Sequence, residues 1–348
     1  MVLAKRKPIE PAPPVIRIIL FSRKWKSSDP RIERLPDRPR TDSIVSSIAQ
    51  SYLHSLEKIR RETRGCDIKT EYTFEMRCGA ITFWGGELKW KFASLRLEKQ
   101  LNSSSKFHEV KAYSPDELKT LCDNKTNTFI RENPKGYGYW IWKPILILDF
   151  LRNNPNIDVI LYLDSGCEFI SNPGSDITWN DYLDEFSKSD AIFFQNELKE
   201  YSWTKQELFE FLNVSAEEQL TDQLVGGAFL MSRMFALDFC QRWLEVMRAD
   251  NFLYVNDEVN YLKQRVEFRE HRYDQSTLSI LAKRELSVRI LRGNEEIYFP
   301  RNWQNALDKP IWTSRNGSYF PIMNQSLLTR NARKIEKLLN YSWRKLRN

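Results

Sequence analysis

The chain reads as an α/β domain with a mostly parallel central sheet and helices on both faces. Three observations carry that reading. From Gly79 onward, strand-like and helix-like stretches alternate; IDVILYLD is a nearly unbroken apolar run that ends in an acidic turn; and GAITFWGG, a β-rich run closed by two glycines, leads straight into the helical pattern ELKWKFASLRLEKQL. A strand buried on both faces reads as a continuous apolar run. Alternation of strands and helices at this spacing is what a sheet wound through crossover helices produces. The 348 residues, 41% of them hydrophobic, suffice for one large domain or a domain with an appendage.

The elements follow in order. Residues 1–14 hold four prolines among basic side chains and read as a flexible leader. Residues 15–78 form an accessory segment: VIRIILFS is a strand, and a helix runs from a cap at Thr41 or Asp42 to a stop at Gly65. The main domain spans 79–325. Its first unit is strand, glycine turn at Gly85 and Gly86, then helix, the opening of a mononucleotide-binding fold. FHEVKAY is the next strand, followed by a helix with Ser114 as N-cap and Pro115 at its first position. KPILILDFLRNN is a helix, IDVILYLD, DAIFFQ and VGGAFLMS are strands, and MFALDFCQRWLEVM and QSTLSILAKR are helices. Residues 326–348 place Ile335, Leu338, Leu339, Trp343 and Leu346 on one helical stripe ringed by Lys and Arg, which suits either docking on the domain or resting on an anionic membrane.

Charge and cysteine content narrow the class. The formal net charge of +7 favours an anionic partner. The basic residues are spread out and no nucleic-acid-binding signature appears, so a nucleic-acid binder is the weakest reading. The five cysteines are far apart with no CxxC pair, as reduced thiols would be. No apolar run approaches the roughly 18 residues of a spanning helix, and the start lacks the apolar core of a signal peptide. The expected location is cytoplasmic, or peripheral at the inner face of a membrane.

Four motifs taken together, GYGYWIWKP, LYLDSG, VGGAFLMS and HRYDQSTLS, resemble GT-A-fold nucleotide-sugar glycosyltransferases of polysaccharide and lipopolysaccharide synthesis. The resemblance covers roughly residues 79 to 300. It implies a GT-A-like Rossmann-type domain, transfer of a sugar from a UDP- or GDP-sugar to a hydroxyl of a glycan or lipid-linked acceptor, and a divalent metal, Mn2+ or Mg2+.

The residues bear on that chemistry one by one. Asp164 ends a buried strand, where a carboxylate meets a ligand at the sheet's rim. By resemblance it holds the diphosphate's metal ion, with His271 as a second ligand, or it binds ribose or sugar hydroxyls directly. Ser165 and Gly166 complete that turn; Gly166 stands where the family carries a second Asp, and Glu168 is the next acid. Gly136 and Gly138 permit close backbone approach, Tyr137 and Tyr139 stack on a base or sugar, and Lys143 contacts the donor diphosphate, while Trp140 and Trp142 serve equally well as core. Gly226 and Gly227 line the donor sugar, or make a bulge. Asp274 and Gln275 are the catalytic candidates. Asp274 acts as base in an inverting reaction or stabilises an oxocarbenium-like state in a retaining one, and the Asp-Gln pair resembles that of retaining families. A structural alternative for Asp274 is to cap its helix, and Asp222 and Glu258 are reserve acids. A non-catalytic sugar-binding or nucleotide-binding protein of the same fold is the second reading, favoured by Gly166.

Overall fold

The computed structural model describes residues 76–293 and 306–324. The chain divides into two units, Met1–Tyr72 and Thr73–Asn348, and the described residues all belong to the second. The leader, the strand and helix expected before Gly65, and the basic helix expected over 326–348 lie outside the described residues.

A six-stranded sheet is the centre of the fold. Its strands are β1 (Cys78–Phe83), β2 (Glu109–Tyr113), β3 (Val159–Leu163), β5 (Ala191–Lys199), β6 (Asp222–Ser232) and β7 (Val288–Arg292), in the order β2-β1-β3-β6-β5-β7. β4 (Glu168–Phe169) pairs with β8 (Ile311–Trp312) in a separate two-stranded sheet. β1 pairs parallel with both β2 and β3, and β5 pairs parallel with β7, whereas β6 runs antiparallel to its two neighbours. The sheet is thus mainly parallel, with one reversed strand in its middle.

The helices that frame the sheet are α1 (Leu88–Ser103), α2 (Pro115–Leu121), α3 (Asn124–Glu132), α4 (Trp142–Asn153), α5 (Pro173–Glu185), α6 (Arg233–Phe252) and α7 (Tyr273–Lys283). Their ends follow local chemistry. Ser114 caps α2 through a reciprocal capping box with Glu117, with Pro115 at the first turn. Asn172 caps α5 in the same way, with Pro173 at its first turn.

Strict alternation along the strands divides the core into two. Val159, Leu161 and Leu163 of β3 join Leu97 and Leu101 of α1 and Trp179 and Tyr182 of α5 on one face. Ile160 and Tyr162 join Ile147 of α4, Trp243 of α6 and Leu278 of α7 on the other. Burying each such side chain contributes about 1.5–3 kcal/mol. The same alternation governs the site: Asp164, two residues beyond Tyr162, projects toward the layer that contains α4 and α7.

Candidate functional site

A cleft of about 550 Å³ opens over the carboxyl ends of β1 and β3, where sequential crossovers leave the sheet in opposite directions and ligands of such folds bind. Asp164 is delivered by β3, whose ladder with β6 extends one step further: the Asp164 N–H donates to the Gly227 carbonyl at 2.9 Å. The Tyr162 hydroxyl donates to Asp164 Oδ1 at 2.6 Å and fixes the carboxylate's rotamer. Gly227 leaves the room this needs, since a Cβ there would stand 2.6 Å from Asp164 Oδ2. Gly227→Ala should therefore displace the Asp164 carboxylate. The expected outcome is a loss of ligand affinity with a melting temperature close to wild type, read by thermal shift with and without nucleotide.

Helix α4 delivers Lys143 and helix α7 delivers Asp274. The buried ammonium of Lys143 lies 2.7 Å from Asp274 Oδ2 and 3.4 Å from Asp164 Oδ1, and donates to the Gly226 carbonyl at 2.7 Å. One cation thus bridges two carboxylates of different exposure, 39% for the Asp164 side chain and 5% for that of Asp274. Burial by itself would depress the Lys143 pKa, but the Asp164 and Asp274 charges outweigh it and hold it above the ordinary lysine value. Burial dominates at Asp274 and raises its pKa to about 7 against the opposing pull of Lys143.

This geometry changes the expected part of Lys143. Its three protons have three acceptors inside the protein, and the side chain is 3% exposed, so it organises two carboxylates and is not a free cation for a diphosphate. Asp274 is the second residue of α7, inside the helix, and not at its N-cap position, which Arg272 occupies.

Gly85, Gly86, Tyr137, Ser165, Gly166, Gly226 and Gly227 all line the cleft together with Asp164, Asp274 and Gln275. Tyr139 does not. It is buried and stacked on Tyr273 with ring centroids 4.9 Å apart, while Trp140 and Trp142 face the cleft in its place. The reason is the backbone: Tyr137, Tyr139 and Trp140 all have positive φ, so the side chains do not alternate as in extended or helical chain. Gly136 makes the turn possible, because a Cβ there would meet the Trp140 ring at 2.3 Å.

Gln275 reaches the cleft but is committed to structure on both ends of its amide. Its Oε1 accepts from the Gly226 N–H at 3.3 Å and its Nε2 donates to Gln223 at 2.8 Å. Gln223 in turn donates to the fully buried Glu200 at 3.0 Å, which also pairs with Lys283 at 2.7 Å. That network ties α7, and Asp274 with it, to the sheet.

His271 is not brought to Asp164. The Lys205 N–H donates to its Nδ1 at 3.4 Å and its Nε2 lies 3.0 Å from the Tyr254 carbonyl, so both ring nitrogens serve the backbone and the ring is a neutral Nε2–H tautomer. Burial and the nearby Lys205 charge push its pKa down to about 3. Asp222 pairs with Lys199 at 2.9 Å and Glu258 is exposed; neither lines the cleft. Glu168 does not follow Asp164 on an extended chain, because the Cys167 N–H closes a turn on the Asp164 carbonyl at 2.8 Å.

The expected metal site fares accordingly. Gly166 offers no side chain, His271 is engaged elsewhere, and Asp164 Oδ1 already faces a hydroxyl and an ammonium. Among the described residues no three His, Cys, Asp or Glu side chains gather as cation ligands. This donor set does not fit a protein-held Mn2+ or Mg2+ ion, which wants oxygen ligands free of competing cations.

Two clamps escaped the sequence reading. Arg96 of α1 is fully buried and donates to the carbonyls of Ser165 (3.1 Å), Cys167 (2.6 Å), Asn316 (2.7 Å) and Ser318 (2.5 Å). Glu168 is fully buried and accepts from the Ser314 hydroxyl, the Asn316 amide and the Ile322 N–H at 3.0–3.1 Å. Together they fasten residues 313–322 to the turn after Asp164 and bring Arg315 to the cleft that Arg272 also lines. Sequence offers no signal for this, because an isolated Arg in an amphipathic helix reads as solvated.

No family model and no curated protein matches the chain. Among solved structures it is similar to a glycosyltransferase involved in the glycosylation of the major capsid of PBCV-1, at 8% identity over 74% of this chain and 98% of that one, with a TM-score of 0.39. It is similar also to mouse xyloside xylosyltransferase 1 in its apo form, at 11% identity over 71% of this chain and 99% of that one, with a TM-score of 0.38. Likeness this distant assigns no chemistry to the chain, which has to come from its own side chains.

Proposed function

We propose that this protein is a glycosyltransferase that moves a sugar from a nucleoside-diphosphate sugar, a UDP- or GDP-sugar, to a hydroxyl of a glycan or lipid-linked acceptor. The observation that carries the reading is the Asp164–Lys143–Asp274 bridge at the carboxyl end of β3, in a cleft roomy enough for a nucleotide. A single buried ammonium holds two carboxylates at fixed separation, one half-exposed and one enclosed, and paired acids in unlike environments are how one site divides its roles. Tyr137, Trp140 and the turn at Gly85 and Gly86 offer the flat and open surfaces that a base or sugar requires.

In this reading Asp164 receives sugar or ribose hydroxyls, and Asp274 stabilises the positive charge that develops on the anomeric carbon. The bond from that carbon to the diphosphate oxygen breaks and a bond to the acceptor oxygen forms. Because the Asp274 carboxylate is committed to Lys143, the leaving phosphate oxygen is the better acceptor for the hydroxyl's proton, which favours retention of configuration. No helix among the described residues is long and apolar enough to cross a membrane.

The test is a turnover screen with nucleotide sugars, followed by the anomeric configuration of the product. Asp164→Ala and Asp274→Ala should each lower turnover at least roughly a hundredfold with the fold intact. Near-normal turnover in both would sink the assignment. Binding of a nucleotide sugar with no turnover for any acceptor would favour the non-catalytic reading instead.

A further inference from the structure

Two arginines, Arg272 and Arg315, line the cleft together with the Glu270 carboxylate. Lys135, at the same rim, is paired with Glu270 at 3.1 Å and Asp257 at 3.5 Å, and Lys143 is saturated as described. Arg272 and Arg315 have no ion-pair partner among the described residues. The Arg272 guanidinium lies over the Trp203 ring, 4.4 Å from its centroid, and its Nε is buried without a hydrogen-bond partner. Arg315 projects from the strap held by Arg96 and Glu168, in a left-handed backbone conformation with φ of 51°, which a non-glycine residue adopts only where the surroundings enforce it. Its Cα packs against Gly166, 3.1 Å from where a Cβ there would sit. Burial pulls the Arg272 pKa down; the nearby Glu270 carboxylate opposes that and the Arg315 charge adds to it. Like charges held on scaffolds in one partly enclosed cleft favour an anion bound between them.

We propose that Arg272 and Arg315 are the two jaws of a diphosphate-binding site, which holds the pyrophosphate of the donor and takes up the charge of the leaving diphosphate without a divalent metal. The inference rests on the nucleotide-sugar reading for the identity of the nucleotide, though not for the existence of the anion site. Arg recognises phosphate through paired N–H donors, and preorganised cations aimed at the oxygens where charge develops lower the barrier to departure. The Asp164 turn supplies the floor. Gly166, with no side chain, lets the Arg315 backbone approach the Asp164 turn. Lys143 offsets one of the two charges that Asp164 and Asp274 carry when both are ionised, and so lessens their repulsion of the phosphates.

The experiment is calorimetric titration of the whole chain with UDP, GDP and inorganic diphosphate, first in EDTA and then with Mn2+. Binding in EDTA is expected, with Mn2+ changing the affinity by less than about threefold. Arg315→Gln, an exposed position that does not endanger folding, and Arg272→Gln should each weaken diphosphate binding at least about tenfold, the double variant should abolish it, and binding of uridine or guanosine should be unchanged. Wild-type affinity in both variants, binding that appears only with Mn2+, or no binding of any diphosphate overturns the proposal. Arginine-dependent binding without turnover on any nucleotide sugar would leave the anion site standing and sink the transferase reading; turnover that is indifferent to both arginines would do the reverse.

Discussion

Lys143→Ala is expected to cost about 3–5 kcal/mol of folding stability, because it strands the buried Asp274 carboxylate without its counterion. Turnover should fall at least roughly a hundredfold with it, since Asp164 and Asp274 lose the cation that bridges and positions them. Chemical denaturation measures the first effect and the donor assay the second. Most of the stability loss should vanish when Asp274→Asn is combined with Lys143→Met, as two residues in direct contact are strongly non-additive. A full, additive loss in the double variant would show that the bridge is not the source. The pH dependence carries a definite sign. Asp274 titrates in the folded state at about 7, above the ~3.9 of an unfolded aspartate. Between those values the folded protein holds a proton that the unfolded chain has lost, so the Asp274 contribution is present at low pH and is lost as pH rises through about 7. Lys143, raised above its ordinary value, keeps its contribution across that window and loses it only in strong alkali. Asp274→Asn should therefore flatten the decline of stability between about pH 4 and 7. Activity runs the other way, falling below about pH 7 as Asp274 takes up its proton.

Arg96→Ala is the second large effect. Removing the guanidinium leaves four buried or half-buried carbonyls short of a donor, in the two segments that Arg96 bridges. Hydrogen bonds to a charged donor contribute about 1.5–3 kcal/mol apiece and do not simply add, so a loss on the order of 3–5 kcal/mol is expected. The distinguishing readout is ligand affinity. Because Arg96 fastens the segment that presents Arg315, the variant should lose diphosphate binding even under conditions where it stays folded, while a variant that merely softens the core would keep it. Arg96→Lys retains charge but not the fork and should recover stability in part only.

Much of the architecture was legible because strands and helices announce themselves by period and by punctuation. The run from Ile157 to Asp164 and the Ser114–Pro115 cap each determine local structure without help from distant residues. The direction of β6 was not legible, since alternation is the same in a parallel and an antiparallel strand. The meeting of Lys143, Asp164 and Asp274 follows from three motifs taken in order, yet sequence reading assigned the lysine to the ligand when its acceptors are all internal. Tyr139 and Trp140 exchanged places because positive φ breaks the pattern that periodicity relies on. Arg96, Glu168, Arg272 and Arg315 were out of reach for a plainer reason. Each acquires its meaning from residues far away along the chain, and a charged side chain looks alike in sequence whether it is buried against carbonyls or dissolved in water.

The left-handed backbone of Tyr137, Tyr139 and Trp140 bears on how quickly the cleft can be filled. Confining one residue's backbone costs about 1–2 kcal/mol of entropy, and here that ordering accompanies folding instead of ligand capture. A base or sugar that settles on Tyr137 and Trp140 meets rings already in position. Binding there then needs no rearrangement of this loop.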